Sequence, residues 1–161
     1  MSIDLRVRPA QPEDAEAVLA LMQALAEFEG YSAEFRVTLD ELVQRCFVRH
    51  DFQVLVVDCG GELLGMLVYY EQPFTYDLKP WFVIKELYVR DSSRGTGVGR
   101  MLMKSVARHC HLQGGSRLRW EVLTDNLAAQ RFYGSLGAQP NAGWQTWQLG
   151  GTALRELALI E

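Results

Sequence analysis

The segment Arg94-Gly95-Thr96-Gly97-Val98-Gly99-Arg100 packs three glycines and two arginines into seven residues. It follows the β-rich run Ile84-Lys85-Glu86-Leu87-Tyr88-Val89 by way of Arg90-Asp91-Ser92-Ser93, and apolar residues at helical spacing come next. A glycine-rich loop between a strand and a helix is suited to holding an anion. The first amides of a helix have no intrahelical partner, and the helix dipole adds positive potential at the same end. Glycine removes the Cβ that would keep a ligand away from the backbone. The chemistry on offer is recognition of phosphate oxygens by main-chain N–H groups. A tight turn that uses the glycines for geometry alone is the other reading of these residues. Two familiar phosphate loops are excluded, because Gly95-x-Gly97-x-Gly99 fits neither Gly-x-x-x-x-Gly-Lys-Ser/Thr nor Gly-x-Gly-x-x-Gly.

The elements that must position this loop are legible from periodicity. Ile3, Leu5 and Val7 alternate with polar residues, as a half-buried strand does. Pro9 and Pro12 interrupt the pattern, and a helix is predicted from Glu13-Asp14, with Val18, Leu19, Met22, Leu25 and Ala26 on one face and an end near Gly30. Thr38-Leu39-Asp40-Glu41 reads as a capping box that opens a second helix through Phe47. Phe52 to Val57 and Leu63 to Tyr70 are predicted as a hairpin across Asp58-Cys59-Gly60-Gly61-Glu62, and Phe82 to Val89 as a further strand.

Beyond the loop, Val98, Leu102, Val106 and Ala107 predict a helix to about Leu112, stopped by Gly114-Gly115. Leu118 to Leu123 is predicted as a strand, and Asn126 precedes a helix with Ala129, Phe132, Tyr133 and Leu136, capped by Gly137. Trp144 to Leu149 is predicted as the last strand and Thr152 to Ile160 as a short helix. This order implies an α/β fold with a mixed central sheet, antiparallel in its first half and flanked by helices, in a single domain over residues 1–161.

Composition excludes several function classes. At 48% hydrophobic and 22% charged residues the chain is globular rather than disordered. Net charge is −4 without a cluster of Lys and Arg, which argues against a nucleic-acid partner. Cys46, Cys59 and Cys110 form no CxxC pair, so reduced thiols and no metal are expected. His109-Cys110-His111 does not alter that expectation, because consecutive helical residues diverge. The N-terminal residues lack the apolar run of a signal peptide and no stretch is long enough to span a bilayer, so no membrane partner and a cytoplasmic location are expected.

Arg94-x-x-Gly97-x-Gly99 after Leu87-Tyr88-Val89 resembles the pyrophosphate-binding motif of the GNAT acetyltransferase superfamily, and Phe132-Tyr133-x-x-Leu136-Gly137-Ala138 resembles its later cofactor helix. Leu25-Ala26-Glu27-Phe28-Glu29, Phe74-Thr75-Tyr76-Asp77 and the end from Gly143-Trp144 through Leu157-Ala158 look like the diamine (spermidine/spermine) N-acetyltransferase branch. The resemblance implies acetyl-CoA as co-substrate and a small-molecule primary amine as acceptor: a diamine, a polyamine or a lysine-like amino acid. By it, Leu87, Tyr88 and Val89 would pair with the pantetheine arm, Gly95, Thr96, Gly97, Val98, Gly99 and Arg100 would cradle the diphosphate after Arg94, and Asn126, Ala129 and Tyr133 would line the thioester end. A backbone N–H near Val89 would stabilise the oxyanion and Tyr133 would protonate the leaving sulfur.

The branch usually carries adjacent acidic residues before this strand segment, whereas this chain has Lys85 and then Glu86, which regular alternation sends to opposite faces. Glu86 would bind or deprotonate the amine directly or through water. Phe28, Glu29, Asp77, Lys85 and Glu121 complete the expected acceptor pocket. On periodicity alone Tyr133 reads first as a packing residue, Glu29 and Asp77 as surface charges, and Glu86 equally as a solvent-facing strand carboxylate, with Glu121 a further candidate at the pocket. A homodimer is expected from the resemblance, with Trp144 and Trp147 at its interface or in the core. A non-catalytic acyl-CoA-binding sensor on the same fold is the alternative to an enzyme, and a nucleotide-binding regulatory domain is the third reading.

Overall fold

The computed structural model describes residues 4–160, so Ile3 of the expected first strand lies outside the described residues. The remainder of that alternation forms β1 (Leu5–Pro9), which includes Pro9 as its last residue. A 3₁₀ turn at Pro12–Asp14 then leads into α1 (Ala15–Glu29). Gly30 ends α1 in the left-handed region at φ 80°, where its N–H caps the carbonyls of Ala26 and Glu27. Thr38 caps α2 (Leu39–Leu42) by accepting the Glu41 N–H at 3.2 Å. The Glu41 carboxylate turns to Arg45 one turn on, at 2.9 Å. The predicted helix continues past α2 as a wider π-helical turn, Val43–Val48.

β2 (Gln53–Cys59) and β3 (Glu62–Gln72) form the expected hairpin. Its two turn residues, Gly60 and Gly61, both have positive φ, and Asp58 Oδ1 accepts the Gly61 N–H at 2.7 Å. β4 (Trp81–Val89), α3 (Val98–Leu112) and β5 (Arg117–Arg119) follow. The sheet order is β1-β2-β3-β4-β5, with antiparallel neighbours up to β4 and a parallel β4–β5 pair. The fold is thus the mixed α/β sheet read from the sequence. β5 is shorter than the predicted strand, because its ladder with β4 extends only over Trp81–Val83.

The chain divides into two compact units, Met1–Glu121 and Val122–Glu161. The first holds the sheet and α1 to α3. On one sheet face Val18, Leu21, Met22 and Leu25 of α1 pack with Leu42, Cys46, Val54, Val56, Met66 and Val68. Leu21 is fully buried there, and Leu19 packs at the margin. On the other face the Tyr69 ring stacks on Phe82 at 5.5 Å, and its hydroxyl lies 2.7 Å from Nδ1 of His109 on α3. Burial pushes the Tyr69 phenol up to about 12, so it stays neutral in that contact. Arg8 joins β1 to the 3₁₀ turn and to β2, with its guanidinium 2.6 Å from Asp14 and 3.0 Å from Asp58.

The second unit contains α4 (Leu127–Ser135) and α5 (Gly151–Ala158). The predicted strand from Trp144 to Leu149 is not formed. A strand exists only through a ladder partner, and among the described residues this segment has none despite its two tryptophans and threonine. Trp144 and Trp147 are exposed, not core. Among the described residues no helix is long and apolar enough to cross a membrane.

Gly65 is a point of close approach both within the sheet and to α3. A Cβ there would sit 2.8 Å from the Tyr88 carbonyl oxygen and 3.0 Å from Val98 Cγ1. Gly65→Ala is expected to destabilise the protein by about 1–3 kcal/mol through overpacking. Thermal unfolding should register this as a drop of several degrees, and an unchanged midpoint would contradict the close approach.

Candidate active site

β5 pairs with β4 only at Trp81–Val83, so among the described residues Ile84 to Val89 have no strand on that edge. Their other edge is satisfied by β3, with Leu87 opposite Leu67, Tyr88 opposite Met66 and Val89 opposite Gly65. The half-buried residues Leu87, Tyr88 and Val89 therefore lie on a strand with one side open to an extended, amide-bearing ligand.

The chain leaves β4 through Arg90, whose N–H bonds the Leu64 carbonyl at 2.9 Å and whose Nε bonds the Leu63 carbonyl at 2.6 Å. A 3₁₀ turn at Asp91–Ser93 precedes Arg94. Gly95 (φ 74°) and Gly97 (φ 91°) both occupy the left-handed region, and Gly97 is the N-cap of α3. A Cβ at either would meet nothing within 4 Å, so the requirement for glycine here is conformational and not spatial. Thr96 donates its hydroxyl to the Ser93 carbonyl at 2.5 Å, which fastens the loop from inside. The first α3 bond runs from Met101 N–H to the Gly97 carbonyl at 3.0 Å, so the amides of Val98, Gly99 and Arg100 precede the helical ladder. These residues fit a diphosphate.

Glu86 reaches its position through a β-bulge. Val68 pairs with Glu86 while its neighbour Tyr69 pairs with Ile84, so Lys85 is an extra residue on β4. Paired residues share a sheet face, and Val68 belongs to the α1 side whereas Tyr69 faces His109 of α3. Regular alternation would put Glu86 beside Ile84 on the α3 face. The bulge moves Glu86 and Tyr88 onto the α1 face, and Tyr88 packs against that core. Simple alternation over Lys85 and Glu86 is thus replaced by a change of parity at Lys85.

On that face Glu86 meets the C-terminal end of α1. Burial, reinforced by the negative charge of Glu29 and only partly offset by Lys85, pushes the Glu86 carboxyl up to about 7. Its Oε2 is buried without a hydrogen-bond partner in the protein. Partial desolvation also raises Glu29. Tyr31, which sequence reasoning did not single out, is pushed up to about 12 by burial and by the charges of Glu86 and Glu29. Gly30 turns the chain so that the Tyr31 N–H bonds the Ala26 carbonyl at 2.9 Å. The glycine cap was visible in the sequence, but nothing in it said which side chain the cap would turn inward. The helix C-terminus adds partial negative charge to the same corner.

Of the other expected acceptor residues, Phe28 and Asp77 are engaged elsewhere in the first unit. Phe28 stacks beneath Arg94, with the guanidinium carbon 4.6 Å from its ring centre. Asp77 is a turn residue, whose Oδ1 is 2.8 Å from the Thr75 hydroxyl and 3.1 Å from the Lys79 N–H, contacts that hold its carboxyl below the usual range. It precedes the start of β4 at Trp81, and Glu86 lies five residues further along that strand, or roughly 16 Å. Lys85 and Glu121 are exposed, and Glu121 follows the end of β5.

In the second unit Asn126 caps α4, its Oδ1 accepting the Ala129 N–H at 3.1 Å. Ala129 and Tyr133 are one turn apart on the same face of α4. Tyr133 is half-buried, with its ring centre 5.3 Å from that of Phe132. Gly137 takes φ 89° just beyond the helix, as its place in the sequence predicted.

Comparison with known proteins agrees with this architecture. Among solved structures, a Vibrio cholerae integron cassette protein superposes with a TM-score of 0.83 over 99% of this chain and 100% of its own, at 21% identity. An aminoglycoside acetyltransferase from an uncultured soil metagenomic sample superposes with a TM-score of 0.75 over 94% of this chain and 99% of its own, also at 21% identity. Thialysine N-epsilon-acetyltransferase from Mus musculus is 29% identical over 95% of this chain and 96% of its own length. The family model described as the acetyltransferase (GNAT) family matches residues 18–138, a span that runs from α1 through the glycine loop and α4. The chain belongs to the acetyltransferase (GNAT) family.

Proposed function

We propose that the protein uses acetyl-CoA to acetylate the primary amine of a small molecule, either a diamine, a polyamine or a lysine-like amino acid, by direct transfer. The observation that carries the acceptor class is the pairing of a buried, unpartnered Glu86 oxygen with the negative end of α1. A carboxylate in that setting draws an ammonium and can take its proton near neutral pH, which is the protonation state an amine nucleophile requires. The likeness to proteins named thialysine N-epsilon-acetyltransferase supports a lysine-like amine within this class.

Acetyl-CoA, when held by the β4 edge and the Gly95–Arg100 loop, supplies the acetyl group as a thioester. The amides of Val98, Gly99 and Arg100 would bind its diphosphate, and Leu87, Tyr88 and Val89 would pair with the pantetheine arm. Glu86 accepts the proton that frees the amine lone pair. A backbone N–H near Val89 would donate to the thioester carbonyl oxygen as charge develops, an effect worth about 3 kcal/mol in other acyl-transfer sites. In this reading Tyr133 would supply the proton for the departing sulfur, and Asn126 and Ala129 would contact the thioester. We further propose a homodimer located in the cytoplasm. Release of free thiol across a panel of amines tests the reading as a whole, and calorimetry should register CoA binding. Binding without turnover of any amine would leave a sensor.

Two variants test individual roles. The carboxyl of Glu86 is raised to about 7, so the basic form fills as pH rises through neutrality, and kcat/KM for the amine should climb across about pH 6 to 8. Glu86→Gln should remove that limb and lower the rate on the order of a hundredfold. A raised folded-state pKa also means that the wild type loses stability between the ordinary carboxylate range and about 7. Glu86→Gln should therefore melt higher than wild type at pH 8 and no higher at pH 4. Tyr133→Phe is expected to lower turnover with little change in acetyl-CoA affinity, and an undiminished rate would remove Tyr133 from the mechanism.

A further inference from the structure

Arg94 opens the diphosphate loop, yet its side chain reaches across to α1. Its guanidinium carbon lies 4.6 Å from the centre of the Phe28 ring and 5.8 Å from that of Tyr88. At its edge, Nε donates to the Val89 carbonyl at 3.3 Å and a terminal nitrogen pairs with Asp91 at 2.8 Å. Phe28 is 55% exposed, so its ring is open to contact with another group. A guanidinium held over a ring by cation–π attraction keeps its remaining N–H groups able to bind phosphate oxygens. Arginine carries large rotamer freedom, so a ring that fixes its plane beforehand lowers the entropy lost on binding. The Asp91 carboxylate is largely solvated, so that ion pair is weak and a diphosphate can displace it.

We propose that Phe28 is a positioning residue for the coenzyme's diphosphate, acting through Arg94, rather than a contact for the amine. This inference rests on the acetyl-CoA reading above and deepens it. Phe28 and Glu29 are neighbours in sequence, but they serve the two substrates separately. Phe28 orients the cation that meets the phosphates, and Glu29 contributes to the negative field around Glu86.

The test compares wild type, Phe28→Leu, Phe28→Tyr, Arg94→Ala and the Phe28→Leu/Arg94→Ala double variant. CoA affinity is measured by calorimetry, and KM for acetyl-CoA and for the amine by steady-state kinetics. Phe28→Leu should weaken CoA and raise the acetyl-CoA KM about two- to fivefold, the range of an exposed cation–π contact, and leave the amine KM unchanged. Phe28→Tyr keeps a ring and should restore both values, which separates the stacking from any general loss of packing. In the Arg94→Ala background, Phe28→Leu should have no additional effect. A raised amine KM with unchanged CoA affinity would overturn the proposal, and so would an equal loss of CoA affinity with or without Arg94. Wild-type protein that binds no CoA would instead overturn the acetyl-CoA reading itself, which keeps the two failures distinct.

Discussion

The organising constraint is that two adjoining stretches of backbone carry polar groups the protein does not itself satisfy in secondary structure. One is the edge of β4 beyond Val83, and the other is the run of amides that opens α3. Unmade hydrogen bonds are costly once buried, so such stretches persist only where solvent or a ligand reaches them. The surrounding contacts keep the chain from healing the gap. Arg90 pins the end of β4 to the β3 backbone, Thr96 ties the loop to Ser93, and the left-handed turn at Gly97 starts α3 at a fixed point.

Helix polarity then sorts charge over the first unit. The N-terminal end of α3 favours anions, and the C-terminal end of α1, with Glu29 beside it, favours cations. Glu86 joins the second group only because β4 carries an extra residue. Its elevated carboxyl is the cost of seating a second negative charge in a desolvated corner, softened by Lys85. An acidic neighbour in place of Lys85 would raise the carboxyl further, so the lysine tunes a base toward neutrality.

Much of this was legible in the residues. Glycine types and spacing told where the backbone would turn: Gly30, Gly97 and Gly137 all adopt left-handed conformations at the helix boundaries where the pattern put them. Thr38 and Asn126 both cap the helices they precede. What could not be read depends on long-range pairing. Trp144 to Leu149 is predicted as a strand but acquires no ladder, and β5 stops at Arg119 because β4 pairs with it for only three residues. The contact of Phe28 with Arg94 joins residues far apart in sequence, and local periodicity carries no trace of it.

The single surplus residue at Lys85 also governs how related sequences should be aligned. Loss of that residue would remove Lys85 and restore a regular ladder, with Ile84 still opposite Tyr69 and Glu86 still opposite Val68, whereas keeping Lys85 in a ladder without the bulge would exchange inward and outward positions from Glu86 to Val89. An ungapped pairwise alignment with a strand that lacks the bulge matches side chains on opposite sides of the sheet beyond this position, and a gap placed at Lys85 restores the match. Homology arguments about the base must therefore count parity from the kink toward the coenzyme, and not from the start of the strand.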